Sequence, residues 1–248
     1  MNRWKHTAEF QISSADTDVS RECRLSALFT LLQTVEEQHA RLLEMDVDGV
    51  KNKYNAHWMA LRVRVFLRRP PLLGETLKLS TTIRAPKKNR LHWDCDFYIG
   101  EEWIGEATNQ WVLVSRETGK TLFLEGIPEF PDADPPGSKT ITLSRIEFPE
   151  ETELFDNRRI YYSDTDINGH VNNARYADLA CDAAQLNLRP KGVFMQEILL
   201  CYIGQCFAGE VLPIYRGKKD GCLYFHGTGP DGSDRFDCRI RMSSEEGL

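Results

Sequence analysis

The sequence lacks the features that would place it in several specialised classes of protein. Its apolar runs are much shorter than the ~20 residues of a membrane-spanning helix. Residues 1–7 contain no apolar core, so we expect no signal peptide. Basic residues are not in excess, since 31 lysines and arginines stand against 37 aspartates and glutamates. This balance argues against non-specific binding to nucleic acid. We therefore expect a globular protein that binds neither a membrane nor nucleic acid.

The seven cysteines lack any pattern of their own. None forms a Cys-x-x-Cys pair, and their scattered spacing does not give the ligand set of a zinc site. We therefore predict neither a metal nor any other cofactor. Without an export signal, reduced thiols and a cytoplasmic location are the expectation.

The sequence does contain an internal repeat. Residues 16–19 read Asp-Thr-Asp-Val, and residues 164–167, 148 positions later, read Asp-Thr-Asp-Ile. Each copy precedes a stretch with helical spacing and then an apolar segment that ends in Gly-Glu-x-Leu, at 74–77 and at 209–212. The duplication predicts two similar domains of roughly 100–130 residues.

Each half is typical of one long helix followed by antiparallel strands. Residues 25–45 carry apolar side chains at intervals of three and four, which indicates one face of a helix. The polar segment 46–55 is expected to be a loop, and the second helix is expected near 172–187. Alternating segments between turn signals predict strands. These lie at 8–13, 58–67, 75–84, 91–99, 103–115, 120–124, 158–163, 194–204, 210–217, 221–227 and 234–242.

Two such units can join their sheets edge to edge and bury each other, so the predicted fold class is α+β. Residues 128–138 combine prolines, aspartates and a glycine, which is the composition of a stiff, exposed linker. We therefore divide the chain into an N-terminal domain at 1–133, a linker at 134–149 and a C-terminal domain at 150–248.

The two copies diverge immediately after the shared tetrad. The second continues Asn-Gly-His-Val-Asn-Asn, whereas the first continues Ser-Arg-Glu-Cys-Arg-Leu. Alternate side chains of an extended segment share a face, which would bring Asp166, Asn168 and His170 together. Asn172 or Asn173 is a natural N-cap, so the imidazole would precede a helix N-terminus, where backbone N–H groups can stabilise an oxyanion. The Asp-Thr-Asp sequence also favours turns, which indicates that part of its role is structural.

The second copy resembles the hallmark of acyl-acyl-carrier-protein (acyl-ACP) thioesterases. Residues 166–176 are similar to that family's Asp-x-Asn-x-His-Val-Asn-Asn-x-x-Tyr signature, and residues 107–114 resemble a second family stretch. The resemblance covers most of the chain. It implies two tandem hot-dog domains, each a long helix wrapped by an antiparallel sheet, with acyl-chain binding in the first and catalysis in the second. It further implies hydrolysis of the thioester between a fatty acyl chain and the phosphopantetheine arm of acyl carrier protein, in fatty acid biosynthesis.

By this resemblance, Asp166, Asn168 and His170 occupy catalytic positions. The backbone N–H groups of Val171 and Asn172, at the start of the predicted helix, are the expected oxyanion donors. His170 can donate to a carbonyl oxygen or move a proton near neutral pH, and Asn168 can orient a water.

The chain departs from the family where a carboxylate followed by Cys is expected, because Gln205 and Cys206 stand there. A glutamine cannot act as a base. Three alternatives follow: Asp166 activates the water, Glu197 or Glu210 substitutes for the missing carboxylate, or activity is low. Glu210 has a counterpart in the first repeat, which indicates a structural role. Cys206 opens a second route, since Cys, His and Asn can form a thiol-nucleophile triad. We favour direct attack by water, because a buried strand cysteine usually behaves as a small hydrophobe.

An acyl chain needs a dry, elongated cavity. The resemblance implies that the first half lines it, with the 25–45 helix and strand residues such as Trp58 and Met59; the alternative for any one of them is an ordinary core residue. Acyl carrier protein is acidic, so two basic clusters are candidate docking residues by charge complementarity, although the strand arginines could equally form a solvated face. These residues are Arg62, Arg64, Arg68, Arg69, Lys87, Lys88 and Arg90.

Two rival functions and one structural question stay open at this point. The protein could be an acyl-CoA thioesterase, or, given Gln205, a non-catalytic acyl-thioester-binding protein. The sequence leaves a homodimer open, and it does not determine the length or type of the acyl chain.

Overall fold

The structure, a computed structural model, describes residues 3–243 and contains ten strands and three α-helices within them. The first half holds β1 (Lys5–Gln11), α1 (Leu25–Leu42), α2 (Val47–Tyr54), β2 (Ala56–Leu67), β3 (Thr76–Ile83), β4 (Leu91–Ile99) and β5 (Glu102–Ser115). The second half holds β6 (Glu153–Arg159), α3 (Asn173–Ala183), β7 (Met195–Tyr202), β8 (Val211–Lys219), β9 (Cys222–Thr228) and β10 (Asp234–Met242).

All ten strands form one antiparallel sheet in the order β1-β3-β4-β5-β2-β7-β10-β9-β8-β6. Each half contributes five neighbouring strands, and the order read inwards from either edge is the same in the two repeats. The halves meet where β2 pairs with β7, with Arg62 opposite Cys201 and Phe66 opposite Glu197. The predicted edge-to-edge joining of two α+β repeats is therefore confirmed.

The long helices pack against each other and share one hydrophobic core. Leu28, Leu32 and Val35 of α1 are buried in the same cluster as Ala177 and Ala180 of α3. Each helix thus covers the apolar face of the strands of its own repeat, and the two helices together complete the hydrophobic core. No helix among residues 3–243 is long and apolar enough to cross a membrane.

Several predicted elements differ from the structure. The second helix, expected near 172–187, ends at Ala183, and the first strand, expected at 8–13, is Lys5–Gln11. The expected loop 46–55 contains α2, which begins where the Asp46 side chain accepts a hydrogen bond from Gly49 N at 3.0 Å. The expected strand 120–124 makes only a single bridge, from Thr121 to Val114. The strand expected at 158–163 is β6, which ends at Arg159. A distant partner accounts for the difference at β6, which pairs with β8 far away in the sequence, but not for α2, which packs against its neighbour β2.

The segment between the repeats has no regular secondary structure, but it is not the exposed linker that its composition predicts. Leu143 is buried against Leu199 and Cys201, on the face of β7 that points away from the helices. Arg84 Nη1 donates to Ile141 O at 2.8 Å, which ties the segment to β3 and β4. The connection thus lies along the outer face of the sheet, which explains why β7 is apolar on both sides.

Candidate active site

A cavity of about 260 Å³ opens between the two repeats. Four of the predicted catalytic residues of the second repeat line it, together with both predicted residues of the acyl-binding wall. These are Asp166, Asn168, His170, Gln205, Trp58 and Met59. The structure therefore brings together residues more than a hundred positions apart in the chain, within one space close to the lower end of the usual size range for ligand pockets.

The loop before α3 is held by its two aspartates. The buried Asp164 carboxylate accepts from Tyr161 N at 2.8 Å, and Asp166 Oδ1 accepts from Asn168 N at 2.8 Å. Gly169 adopts a φ of 78°, and Asp166 N donates to His170 O at 3.0 Å, which closes the turn. Asp164 is therefore structural, whereas Asp166 both holds the turn and faces the cavity.

His170 follows this turn and lies half-buried at the cavity wall. Its Nδ1 is 3.4 Å from Val171 O, and its Nε2 has no hydrogen-bond partner among residues 3–243. That nitrogen is therefore available to a ligand in the cavity. Asn172 caps α3 by accepting from Ala174 N at 2.9 Å, which confirms one of the two predicted N-caps.

The backbone donors at this helix end differ from the prediction. Val171 N already donates to Cys206 O at 2.8 Å, and Asn172 N donates to Asp164 O at 2.9 Å. Neither N–H group is free to meet an oxyanion. Within the described chain, the first N–H group of α3 without an acceptor is that of Asn173, a residue that lines the cavity. The loop uses the two earlier groups to fix its own shape, so the site's available donor lies one residue further on.

Gln205 and Cys206 point to different environments. Gln205 is exposed and lines the cavity, whereas Cys206 is fully buried in the hydrophobic core beside Tyr176. Burial raises the pKa of the Cys206 thiol, and the Tyr176 hydrogen bond only partly opposes this. The sulfur is thus held as a neutral thiol away from the cavity, which is the opposite of what a nucleophilic cysteine requires.

Neither of the two proposed substitute carboxylates lies at the cavity. Glu197 binds Arg64 at 2.7 Å and Arg239 at 3.0 Å, among the strands at the joint between the repeats. Glu210 accepts from Phe207 N at 3.0 Å in a turn, and its counterpart Glu75 accepts from Leu72 N at 2.8 Å in the same way. Both have structural partners, so they leave the missing carboxylate unexplained.

The cavity does contain a buried acid that the sequence interpretation did not single out. Glu36 of α1 is 4% exposed, and its carboxylate accepts hydrogen bonds from Asn109 Nδ2 and, at 3.2 Å, from Trp111 Nε1. Burial raises the pKa of Glu36 to about 8. A signal was present in the sequence, since Glu36 follows Leu28 and Leu32 at helical spacing on the apolar face of α1.

Aromatic side chains form much of the first-repeat wall. Trp58 Nε1 donates to Met45 O at 2.7 Å, which satisfies its one polar atom, and its ring meets Trp111 edge to face at 6.5 Å. Trp93 lines the same space, and Met59 is partly exposed. The wall therefore presents a broad apolar surface whose buried N–H groups are paired.

The predicted docking residues divide into engaged and free groups. Arg62 donates to Gln110 at 2.7 Å, Arg64 pairs with Glu106 and Glu197, and Arg69 pairs with Glu75 and Glu102. These three therefore serve internal contacts, with acids and amides of nearby strands and turns. The other four are exposed and form no ion pair within residues 3–243: Arg68, Lys87, Lys88 and Arg90.

Three of the free residues lie near the cavity in the sheet. Lys87, Lys88 and Arg90 form the turn between β3 and β4, at the sheet end where β5 finishes next to the cavity residue Arg116. Arg68 follows β2 at the opposite end, since Leu67 pairs with Gly105 at the start of β5. A basic patch of three residues therefore remains at the cavity end.

No group of three or more histidine, cysteine or carboxylate side chains within residues 3–243 is arranged to hold a metal ion. The polar side chains of the cavity are two imidazoles, four amides, two phenols, one guanidinium and four carboxylates. The imidazoles are those of His57 and His170, and the guanidinium is that of Arg116. This set is suited to polarising a carbonyl and moving a proton.

Comparisons with known proteins agree with the geometry. The acyl-ACP thioesterase N-terminal domain matches residues 3–125, and the acyl-ACP thioesterase C-terminal domain matches residues 148–240. The oleoyl-acyl carrier protein thioesterase of Coriandrum sativum is 22% identical over 82% of this chain and 60% of its own length. The palmitoyl-acyl carrier protein thioesterase of Arabidopsis thaliana is 24% identical over 82% of this chain and 52% of its own. The chain spans about half the length of the curated relatives it matches.

Solved structures show the same fold. An acyl-ACP thioesterase from Bacteroides thetaiotaomicron superimposes with a TM-score of 0.82 at 19% identity, covering 98% of this chain and 100% of that one. The 12:0-ACP thioesterase from Umbellularia californica superimposes with a TM-score of 0.80 at 18% identity, covering 97% of each chain. With both of its domain models matched in order, this chain belongs to the acyl-ACP thioesterase family and has its tandem hot-dog fold.

Proposed function

We propose that this protein hydrolyses the thioester of fatty acyl-ACP and releases a free fatty acid and holo-ACP. The observation that carries the proposal is the shared cavity, in which the histidine motif of the second repeat faces the aromatic wall of the first. Family membership and the names of the related thioesterases support the same substrate class.

In this proposal, the acyl chain lies along Trp58 and Trp111, and the thioester carbonyl meets the N-terminus of α3. The Asn173 N–H group and the positive end of the helix dipole stabilise the oxyanion. His170 Nε2 donates to the thioester, while Asp166 and Asn168 hold the loop that presents it. Water rather than Cys206 attacks, because the buried thiol is protonated and does not line the cavity.

The acidic carrier protein would approach the cavity end of the sheet, where Lys87, Lys88 and Arg90 are exposed and free of internal ion pairs. Rim charges of this kind mainly accelerate association and set its salt dependence. The cytoplasmic location and a homodimer stay predictions from the sequence; the curated relatives are named as chloroplastic proteins.

The experiment that tests the function is thiol release from a chain-length series of acyl-ACPs by the purified protein. The same acyl groups on CoA and the His170→Ala variant are measured in parallel. We expect release that is faster from the carrier than from CoA and at least about 100-fold slower in the variant. Equal rates on both carriers would instead favour an acyl-CoA thioesterase.

A second candidate is a non-catalytic acyl-thioester-binding protein, and the presence of Gln205 in place of the family's carboxylate favours it. This function predicts that the protein retains acyl-ACP on a sizing column without releasing thiol at any chain length. It also predicts that His170→Ala does not change the measured rate, since no enzymatic rate exists to lose.

A further inference from the structure

Four carboxylates line the cavity within the described chain, and three of them have evident structural partners. Glu37 pairs with Arg41 at 3.0 Å. Asp46 caps α2, and Asp166 holds the turn before α3. The fourth, Glu36, forms no ion pair within residues 3–243 and receives only neutral donors. It is therefore the cavity carboxylate that, among the described residues, has neither a cationic partner nor a capping role.

Glu36 faces a small recess next to the start of α3. The recess has a volume of about 20 Å³, which is enough for one water molecule. Asn109, Trp111 and Asn173 line it together with Glu36, and Glu36 and Asn173 also line the main cavity. Asn109 Oδ1 is buried without a hydrogen-bond partner. A water held between Glu36 and Asn109 would satisfy that oxygen and lie beside the free Asn173 N–H group.

We propose that Glu36 is the general base that replaces the carboxylate missing at Gln205. The proposal rests on the proposed thioesterase function. It makes the active site composite: the first repeat supplies the base, and the second supplies the oxyanion donor and His170. The position in the second repeat that corresponds to Glu36 is Ala184, so that repeat has no equivalent acid of its own.

The chemical step balances with Glu36 as the only proton carrier. The oxygen of the recess water forms a bond to the thioester carbon while Glu36 takes one of its protons. The Asn173 N–H group donates to the resulting oxyanion. When the intermediate collapses, the C–S bond breaks, and the proton on Glu36 passes to the leaving sulfur. The products are the free fatty acid and the pantetheine thiol, and the Glu36 carboxylate is regenerated.

The surroundings of Glu36 suit a base that works near neutral pH. Burial is the main cause of its raised pKa of about 8, the Asn109 and Trp111 hydrogen bonds oppose it, and the charge of Asp94 adds to it. Cys95 on β4 and Tyr202 on β7 also face it, and burial raises the pKa of both, so neither is ionised near neutral pH. The other acidic and basic residues that line the cavity are Glu37, Asp46, His57, Arg116, Asp166 and His170. A base is most effective when its pKa lies close to the operating pH.

The first test compares Glu36→Gln with Asp182→Asn over a range of pH. Asp182, on α3, also has a pKa raised by burial, but it does not line the cavity. We expect Glu36→Gln to lower kcat at least about 100-fold with little change in KM, and to abolish the rise of kcat/KM centred near pH 8. Asp182→Asn should keep the wild-type kcat and the rise of kcat/KM near pH 8. A Glu36→Gln enzyme with the wild-type rate and pH profile would overturn the proposal.

Two further variants separate a chemical role from a structural one. Trp111→Phe removes a hydrogen bond that lowers the Glu36 pKa, so the rise in kcat/KM should move to higher pH. Adding Gln205→Glu to Glu36→Gln returns a carboxylate to the family position and should recover at least tenfold of the lost rate. An unmoved pH profile together with no recovery would show that Glu36 does not carry the proton.

The outcomes distinguish this inference from the function on which it rests. If the wild-type protein releases no thiol from any acyl-ACP, both proposals fail. If it releases thiol and Glu36→Gln is equally fast, only the role of Glu36 fails. Circular dichroism of each variant at the assay pH shows whether a loss of rate comes from a loss of fold.

Discussion

The two Asp-Thr-Asp loops have the same backbone but opposite uses. In both, the second aspartate accepts from the backbone two residues on, Ser20 N or Asn168 N, at 2.8 Å. In both, its own N–H closes the turn, on Glu22 O at 2.9 Å or on His170 O at 3.0 Å. The duplication has therefore preserved the turn as a structural frame, and only the side chains placed on it differ.

The first loop forms a contact between the two repeats. Arg189 of the second repeat reaches across and binds Asp18 at 2.8 Å and Glu22 at 2.6 Å. In the second loop His170 stands where Glu22 stands in the first, and no arginine of the described chain pairs with Asp166. One loop is occupied by an ion pair and the other is left open to a ligand. A few side-chain differences on the same backbone turn therefore give the first loop a structural role and leave the second available for catalysis.

The long helices differ in the same complementary way. α1 has 18 residues and α3 has 11, so Glu36 lies on the part of α1 that α3 lacks. The C-terminal part of α1 lies beside the N-terminus of α3, as the recess they share shows. The first repeat therefore supplies Glu36, which the second repeat lacks, and the second supplies His170, which the first lacks. The cavity site forms from residues that differ between the repeats.

The largest expected effect comes from removing the corresponding aspartate of each loop. Asp166→Ala and Asp18→Ala break the same turn. Asp166→Ala should lower the free energy of unfolding by about 1 kcal/mol, and Asp18→Ala by about 2 kcal/mol, because Asp18 also loses its ion pair with Arg189. Only Asp166→Ala should also lower kcat for acyl-ACP, by about 100-fold or more, because only that loop presents His170 to the cavity. Urea unfolding and thiol release measure the two effects separately. Equal losses of kcat in both variants would mean that the turn acts on activity through stability alone.

The next effect is on stability and depends on pH. The pKa of Glu36 rises from 4.5 to about 8 on folding, so the folded state keeps a proton that the unfolded state loses. The free energy of unfolding should therefore fall as pH rises from about 4.5 through 8. Glu36→Gln cannot titrate, and at pH 9 it should be more stable than the wild type by about 2–4 kcal/mol.

Urea unfolding of both proteins at pH 5, 7 and 9 measures this difference. The gain of the variant over the wild type should shrink steadily towards pH 5, because Glu36 of the unfolded wild type then also approaches its protonated form. A difference that is the same at all three values would refute the raised pKa of Glu36.

A smaller effect is expected at the first loop. Arg189→Met leaves Asp18 and Glu22 partly buried without their cation, which should cost about 2 kcal/mol of stability at pH 7. Burial already raises the pKa of Glu22 and Arg189 opposes this, so without Arg189 the pKa rises further and the loss should be less at acid pH. Thermal unfolding at pH 7 and pH 5 checks this prediction. A marked fall in kcat would show that the first loop also takes part in the reaction.

The smallest effect concerns the basic patch at the cavity end. Changing Lys87, Lys88 and Arg90 together to glutamine should raise KM for acyl-ACP about tenfold and leave kcat unchanged, with no effect on acyl-CoA. The difference should fade at high salt, because exposed charges are screened. Arg68→Gln, an exposed base at the other end of β2, is the control. An equal rise in KM for both substrates would exclude a role in carrier docking.

Local sequence determined the parts of this protein that depend on neighbouring residues. The repeat, the helical spacing of α1, most strands and the Asn172 cap depend on patterns within a few turns or one strand, so they were predictable. The histidine motif was predictable as well, because its residues adjoin one another in the chain.

Tertiary structure decided everything that depends on distant partners. Cys206 is buried because Tyr176 and the core surround it. Three of the arginines are engaged because acids and amides of nearby strands and turns lie beside them. The free oxyanion donor is Asn173 because the loop uses the earlier N–H groups. The burial that shifts the pKa of Glu36 and the shared recess that places it beside the second repeat exist only once strand register and helix packing are set. A side chain's partners, and with them its protonation and its role, are properties of the assembled fold and not of the local sequence.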